Sequence, residues 1–587
     1  MSALADAGWG DLPPPPAPRV ELSRSPDPQS VRAMEEALGL PRVLCAILVA
    51  RGIVDPSQAK VFLRPLLTTL HAPESLTGLP AAVSRIRTAI EGAETIFIHG
   101  DYDVDGMAGT VLLTEWLRRL GATVEPFIPN RLTDGYDLGP RGLQEAERAG
   151  ASLLITVDCG ILAHDAVSTA VSSGLDVIVT DHHTPGTDLP GALAVLNPNR
   201  RDCPYPNKGL SGAGVAFKLC QGLAEAFGVP EEDLHPHLDL VALATIADLV
   251  PLSGENRTLT RFGLKALSRT ESPGLRALMG VAGMDGGGVT AGKVGFVLAP
   301  RLNAVGRLGN PALALRLLLT RDPHEARSLA LEAEAMNRER RVTDRQTLDD
   351  ALSQLSANFD PTEDFGVVLS AEGWHPGVVG IVASRVVERI HRPTVLVAFR
   401  GELGKGSARS IPGFHLLDAI RGAGRYLDRF GGHRQAAGME LRRENLLAFR
   451  EAFNREARRV LEWEDLRPSL KVDLEVELGE ITPEAFGFMQ YLGPHGIGNP
   501  RPLLMARNVE VAGSPRVVGA GHLKLRLRQG TSGLEAIGFG LADRMDAKTL
   551  VSGPLDVVFH LQENEFRGEK TLQASVKDLR PAAVGHS

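Results

Sequence analysis

The residues best suited to chemistry fall in four short stretches of the first half of the chain. "IFIHGDYDVDG" (Ile96–Gly106) carries His99, Asp101, Asp103 and Asp105, "LLITVDCG" carries Asp158, "VIVTDHH" carries Asp181, His182 and His183, and "LATIADLVP" carries Asp248. Each acidic group stands at or just after the end of a β-type or apolar segment. In an open parallel sheet the carboxyl ends of the strands share one edge, so side chains distant in sequence meet there. Five or more carboxylates in one crevice repel by several kcal/mol unless cations neutralise them. Carboxylates with imidazole suit Mn²⁺ or Mg²⁺, and these ligands do not choose between the two. A shared carboxylate can bridge two such ions about 3.5–4 Å apart, the geometry that hydrolyses phosphate esters.

Other readings of the same residues are weaker. "DYDVDG" could be a plain turn, since Asp and Gly are turn residues. It also begins like a calcium loop, but the twelfth position is Leu112 where a glutamate is needed. Cys159, beside Asp158, fits a small buried filler better than a nucleophile. "GGVTAGKV" (Gly287–Val294) approaches a P-loop, yet Val294 replaces the hydroxyl that would hold magnesium, which excludes ATP hydrolysis. Four acidic motifs in one kind of place argue for a cation site.

The elements that must position these groups follow from pattern. At 587 residues the chain needs several domains, and 43% hydrophobic with 23% charged residues is an ordinary soluble globular composition. No apolar run approaches a membrane span, and the N-terminus has no basic start followed by an apolar stretch. Four cysteines without CxxC spacing argue against a disulfide framework or a zinc ribbon and fit a reducing cytoplasm. A net charge of −8 means that any nucleic-acid surface is a local patch. Residues 1–40 are rich in Pro, Ser and Asp and read as a flexible leader. Residues 41–75 read as a small element with a pair of short helices. From Glu94, apolar runs ("TIFIH", "TVEPFI", "LLITV", "DVIVT", "LAVLN") alternate with helical segments, which predicts a parallel sheet covered by helices. His324–Leu355 lacks Gly and Pro and reads as a long charged helix, either spanning two domains or solvated on the surface. A second α/β pattern begins at "FGVVLSAEGWHPGVVG". From Ser469 the strand-rich tail suits a small antiparallel barrel.

The set resembles the DHH phosphoesterase family, whose namesake motif is Asp181-His182-His183 here. The spacing of His99, Asp103 and Asp105 also resembles that of manganese pyrophosphatases in the same superfamily. Within the DHH family, "HGDYDVDG", "VDCG", "DHH", "ATIADLVPL", "APRLNAVGRL", "GWHPGVVGIVASR", "GGHRQAAG" and "GPHGIGNPRP" are similar, in order, to stretches of the RecJ exonucleases. The resemblance implies an α/β multidomain fold. A parallel-sheet DHH catalytic domain (76–320) and an α/β DHH-associated domain (361–465) are joined by a connecting helix (321–360) and followed by an oligonucleotide-binding β-barrel (466–587). It also implies a single-strand-specific 5′→3′ DNA exonuclease that releases 5′-mononucleotides by two-metal-ion hydrolysis in recombination and repair. Asp103, Asp105, Asp158, His182 and Asp248 would hold two divalent cations, with Asp158 as the bridge. His99 would be a ligand or lie just behind one. Asp101 would orient ligands or touch a cation, and His183 would face the scissile phosphate.

For the strand, the resemblance points to Ser407 and Arg409 in "GKGSARSIPGFH", beside Lys405, as part of a pocket for the 5′ end. Gly432 and His433, beside Arg434, lie in a glycine-rich turn suited to phosphate. Arg301 and Asn303 would lie near the active-site edge, with Arg131 on phosphate and Tyr136 as a stacking face. Lys524, Arg526 and Arg528 alternate in "HLKLRLRQG" and so share one strand face. The implied partners are single-stranded DNA with a 5′ end, a single-strand-binding protein and a helicase, with no membrane, for a monomer in the cytoplasm. Hydrolysis of small substrates such as cyclic dinucleotides is the rival reading; proteins of that kind lack a barrel. A scaffold without metals is disfavoured by the intact acidic set.

Overall fold

The structure, a computed structural model, describes residues 12, 16–131, 133–135, 137–284, 288–308, 311–519, 521–542, 547–566 and 568–582. The chain divides into two compact units. One is Val61–Arg340 with Tyr491–Arg501, and the other is Met1–Lys60, Arg341–Gln490 and Pro502–Ser587.

The second of these units begins with β1 (Arg19–Leu22), which pairs in parallel with β12 (Ser469–Val472). A helix, Pro28–Leu38, follows, capped by the Asp27 carboxylate on Ser30 N–H and buried through Val31 and Met34. Over residues 16–40 this corrects the flexible-leader reading: prolines set apart by polar residues resemble a linker, but Pro28 at a helix start is well placed. Residues 1–11 and 13–15 of that leader lie outside the described residues. Arg42–Ala50 and Pro56–Leu63 are the expected pair of short helices.

In the Val61–Arg340 unit, β2 (Thr95–Gly100), β3 (Thr123–Phe127), β4 (Leu153–Val157), β5 (Asp176–Thr180) and β6 (Ala194–Leu196) form a sheet ordered β3-β2-β4-β5-β6, parallel throughout. These are the five apolar runs read from sequence. Alternate residues feed two cores. Ile96, Ile98, Ile155 and Ile178 pack with Leu112, Trp116 and Phe217, while Phe97, Leu154, Val177 and Val179 pack with Val167 and Ala170. Each such side chain contributes about 1.5–3 kcal/mol on full burial, which fixes the strand register and hence the edge where the acidic groups emerge.

One expectation fails here. "LATIADLVP" is not a strand end but the end of a helix, Leu238–Ala247, with Asp248 at its C-cap. Leu238 through Ile246 are all buried, so the helix has no polar face to reveal its period.

The helix Pro323–Asn358 confirms the long charged segment, and the boundary between the two units falls inside it. Beyond it, β7 (Val367–Glu372), β8 (Thr394–Arg400), β9 (Leu403–Arg409), β10 (Arg429–Gly432) and β11 (Ala436–Arg442) make a mixed sheet ordered β10-β11-β9-β8-β7. The tail carries β13 (Leu474–Glu475), β14 (Leu504–Val511), β15 (Arg516–Val518), β16 (His522–Gln529), β17 (Ser532–Gly538), β18 (Leu555–Phe566) and β19 (Glu569–Pro581). Pairing of β14 with β16 closes a ring through β18, β19 and β17, so the tail is a barrel. Sequence reading missed β19 because its register shifts by one residue between Val576 and Asp578, opposite Val558/Phe559. Apolar residues at Leu572, Ala574 and Val576 then resume out of phase at Leu579. Within the expected barrel range of 466–587, Tyr491–Arg501 groups by its contacts with the other unit.

Candidate metal centre

The carboxylates are set by the starts of helices and the ends of strands. Asp103 caps the helix Val104–Arg119, its Oδ1 accepting from the N–H of Asp105 (2.9 Å) and of Gly106 (3.2 Å). Asp105, in the first turn, accepts from Gly212 N–H at Oδ2 and Ala213 N–H at Oδ1, both at 2.7 Å. Those amides open the helix Gly212–Phe227, whose N-terminus favours negative charge. Asp158 follows β4 with φ +63°, a left-handed conformation that strains a non-glycine residue. Its N–H is held by Thr180 O at 2.9 Å. Glycines permit the close packing. A Cβ on Gly212 would lie 2.5 Å from Asp158 Cβ, and one on Gly106 would lie 2.5 Å from Asp101 N.

Asp181 works as a scaffold. Its Oδ1 accepts from the N–H groups of His182 (2.7 Å) and His183 (3.0 Å) and lies 2.8 Å from His183 Nδ1, while Oδ2 accepts from Ile161 N–H (3.0 Å). The neighbouring imidazole of His182 faces the other carboxylates. Its Nε2 is 3.1 Å from Asp158 Oδ1, 3.6 Å from Asp248 Oδ2 and 3.8 Å from Asp105 Oδ2.

Among the described residues, three ligand sets each gather atoms within 4.8 Å of one another: Asp158 with His182 and His183, Asp105 with His182 and Asp248, and Asp101 with Asp103 and Asp158. Asp101 Oδ1, Asp158 Oδ1 and His182 Nε2 are buried and have no hydrogen-bond partner. Burial, then repulsion from Asp103, raises Asp101 well above the usual carboxylate range. Burial, followed by Asp105 and Asp103, does the same for Asp158, and brings Asp248 to about 8. Burial also raises Asp105. Unpartnered buried acceptors in a like-charged crevice are what hard divalent cations satisfy, so the residues fit such ions. His183 is raised to about 9: burial lowers it, but the Asp181 hydrogen bond and nearby carboxylates outweigh that.

Two residues beside the centre behave differently. His99 is fully buried and belongs to none of the three sets. Burial lowers its pKa to about 4, which keeps the ring neutral. Its Nε2 has no hydrogen-bond partner and lies 2.7 Å from where a Gly142 Cβ would stand. Cys159 Sγ sits 3.7 Å from His99 Nδ1, and burial pushes the thiol pKa well up, as suits a filler.

The strand-contact candidates are spread over both units. In the sheet unit, Arg131 lies over the Tyr102 ring at 4.9 Å and is among the charges that lower the Asp101 pKa. Tyr136 falls outside the described residues. Arg301 is engaged, its Nε 2.6 Å from Glu334 Oε2 and its Nη1 donating to Val297 O (2.6 Å). Asn303 is half-buried on the same helix, Ala299–Leu308.

In the other unit, Ser407 and Arg409 sit on β9, and Arg409 Nη1 donates to Ser407 Oγ (3.2 Å). A Cβ on Gly380, in the first turn of the helix Val379–Ile390, would lie 2.7 Å from that Oγ and 3.0 Å from Arg409 Nη2. A helix N-terminus beside a hydroxyl and a guanidinium is a ready anion cradle. Gly432, at φ +147°, and His433 form a tight turn closed by His433 N–H on Ala436 O (2.8 Å). Lys524, Arg526 and Arg528 do share the outer face of β16. The face is mixed rather than basic: Arg528 Nη2 lies 2.5 Å from Glu510 Oε2, and Arg526 Nε lies 3.9 Å from Glu535 Oε1. The sequence reading passed over Arg516, opposite Lys524. Phe539, one of the few aromatic candidates of the tail, is exposed and packs edge-on against His522 at 5.1 Å. The sequence reading also missed the Gly212 and Ala213 amides, which "SGAG" at a helix start could have signalled.

A carboxylate-imidazole crevice at the strand ends of a parallel sheet, with a second α/β sheet and a closed barrel in the same chain, defines a DHH-type phosphoesterase. Residues 95–245 match the family described as "DHH family, N-terminal domain", residues 364–459 the "DHHA1 domain" and residues 472–578 the "RecJ OB domain". The chain is 38% identical to "Single-stranded-DNA-specific exonuclease RecJ" of Bacillus subtilis (strain 168), covering 95% of this chain and 70% of that one. It is 37% identical to the protein of the same name from Dickeya dadantii (strain 3937), over 92% and 96% respectively. The structure of RecJ from Thermus thermophilus in complex with Mn²⁺ matches with a TM-score of 0.83 at 33% identity, over 96% of this chain and 80% of that one. The Mg²⁺ complex of the same protein matches at 0.78 and 31%, over 96% and 79%. The chain belongs to the RecJ family.

Proposed function

We propose that the chain is a single-strand-specific 5′→3′ DNA exonuclease that releases 5′-mononucleotides by two-metal-ion phosphodiester hydrolysis, in recombination and repair. Asp103, Asp105, Asp158, His182 and Asp248 would hold two divalent cations, Mn²⁺ or Mg²⁺, with Asp158 as the shared ligand. The observation that carries this reading is the convergence of buried, unpartnered Asp101 Oδ1, Asp158 Oδ1 and His182 Nε2 in one acidic crevice. Bound cations would polarise the scissile phosphate and make water a competent nucleophile near neutral pH. The chain's own groups do the rest. Asp181 fixes the loop bearing both histidines and holds His183 by Nδ1, so that the imidazolium presents its other N–H to the phosphate. Asp101 and the neutral His99 stand behind the ligands as positioning groups.

The Ser407–Arg409 cradle would take the strand's 5′ end, and Gly432 and His433 its phosphates. Arg131 and Asn303 would serve the active-site edge. Arg301 would do so only on leaving Glu334. The outer face of β16 would hold the strand beyond. The domain limits read from sequence stand as part of this proposal, except where the leader and residues 491–501 depart from them. We further propose a cytoplasmic monomer served by a single-strand-binding protein and a helicase. Four free, buried cysteines suit that compartment, and no described helix is long and apolar enough to cross a membrane. The test is digestion of a long 5′-phosphorylated single strand beside a duplex and a dinucleotide, with Mn²⁺ or chelator. Mononucleotides released from the 5′ end of the single strand alone, and only with Mn²⁺, are expected. Preference for the dinucleotide would overturn the reading.

A further inference from the structure

Three consecutive buried polar residues, Glu255, Asn256 and Arg257, stand in the first turn of the helix Gly254–Leu267. Glu255 binds Tyr205 and Lys218, both at 2.7 Å, and Arg257 binds the carbonyls of Phe62, Tyr491 and Gly493. Asn256 reaches the two loops that carry the acidic crevice. Its Nδ2 donates to Gly209 O and to Pro251 O (3.0 Å), and its Oδ1 accepts from Asn207 Nδ2 (2.8 Å). Gly209 leads directly to the Ser211 cap and the Gly212 and Ala213 amides, which hold both Asp105 oxygens at 2.7 Å. Pro251 lies three residues beyond Asp248, in a turn whose Leu249 takes φ +60°. From the other side, Leu252 N–H donates to Ile497 O at 2.7 Å, and a Cβ on Gly498 would stand 3.1 Å from Pro251 Cβ.

We propose that Asn256 is a positioning residue of the metal centre. One planar amide, with a donor bond to each loop, sets the separation of the Asp105 and Asp248 carboxylates across His182. The helix that carries Asn256 is buried on the core side, so the amide is a fixed post rather than a mobile bridge. Groups behind the ligands typically control metal affinity by about 10–100-fold. The role rests on the crevice being a cation site, as proposed above.

The test is a calorimetric Mn²⁺ titration of the full chain and of Asn256→Leu, with thermal midpoints measured in Mn²⁺ and in chelator. The Mn²⁺ dissociation constant should rise about tenfold or more, and the Mn²⁺-induced rise in midpoint should shrink. Activity should recover at high Mn²⁺. Should the leucine variant not fold, Asn256→Ser, smaller and polar, is read in the same way. A variant whose chelated midpoint falls while its Mn²⁺ dissociation constant stays at the wild-type value would overturn the proposal and leave Asn256 purely structural. A wild-type chain whose midpoint ignores Mn²⁺ would instead remove the centre itself, and this role with it.

Discussion

The acidic crevice and the outer face of β16 are both charge clusters, and they are built on opposite terms. In the crevice, Asp101, Asp105 and Asp158 are buried within 3% of full burial, with acceptor atoms of Asp101 and Asp158 left unpartnered. On β16, Lys524, Arg526 and Arg528 are solvated, and two of them have glutamate neighbours. A buried charge without a partner is costly, so it implies a ligand of opposite sign; an exposed charge is screened and implies little on its own. The crevice therefore speaks for its chemistry through geometry. The strand face speaks only through its composition.

The comparison breaks most easily at its buried side. Asp158→Asn should reduce hydrolysis by three orders of magnitude or more, about 4 kcal/mol of transition-state stabilisation, while single-strand binding stays near wild type. The check is single-turnover cleavage beside an equilibrium binding assay. Retention of a tenth or more of the wild-type rate would sink the bridging assignment.

A second outcome concerns pH. Asp101 and Asp158 are raised well above their usual values, and Asp248 to about 8. The metal-free folded chain therefore keeps protons that the unfolded chain has released above about pH 4. The contribution of these carboxylates to stability consequently falls as pH rises between about 4 and about 8. Bound cations neutralise those carboxylates and remove that loss. The rise in thermal midpoint given by saturating Mn²⁺ should be larger at about pH 8 than at about pH 6. Scanning fluorimetry at both pH values, with Mn²⁺ and with chelator, decides it. An equal rise at both would mean that the carboxylates are not proton-linked to the fold.

The smallest effect is expected on the exposed side. Three free cations on single-stranded DNA would together account for a salt slope of about 2. Because Arg526 and Arg528 are near Glu535 and Glu510, replacing Lys524, Arg526 and Arg528 with Ala should lower the slope by about 1. Fluorescence anisotropy across a salt series measures this. An unchanged slope and affinity would move the strand's track elsewhere, with Arg516 and the His522–Phe539 pair as the next residues to change.

The same contrast explains what was legible in the sequence. The five parallel strands were readable because each is a short apolar run, and His99, Asp101, Asp103, Asp158 and the DHH motif were readable because they stand at strand ends. Asp248 was found for a partly wrong reason: its helix is buried all round and so looks like a strand. Asp181 was named with the motif, but its four-way scaffold role depends on amides of its own loop and of Ile161, which only coordinates supply. The glutamate neighbours of β16 come from β14 and β17, and no pattern within "HLKLRLRQG" announces them. The assignment of Tyr491–Arg501 to the sheet unit was hidden for the same reason, because its contacts are with Arg257, Pro251 and Leu252, far away in sequence.

The most direct test of the central claim counts cations. Free Mn²⁺ can be followed by electron paramagnetic resonance during titration of the full chain and of Asp158→Asn. The account predicts two Mn²⁺ ions per wild-type chain and loss of tight binding of both when the bridge is removed. Equal stoichiometry and affinity in the two proteins would contradict it.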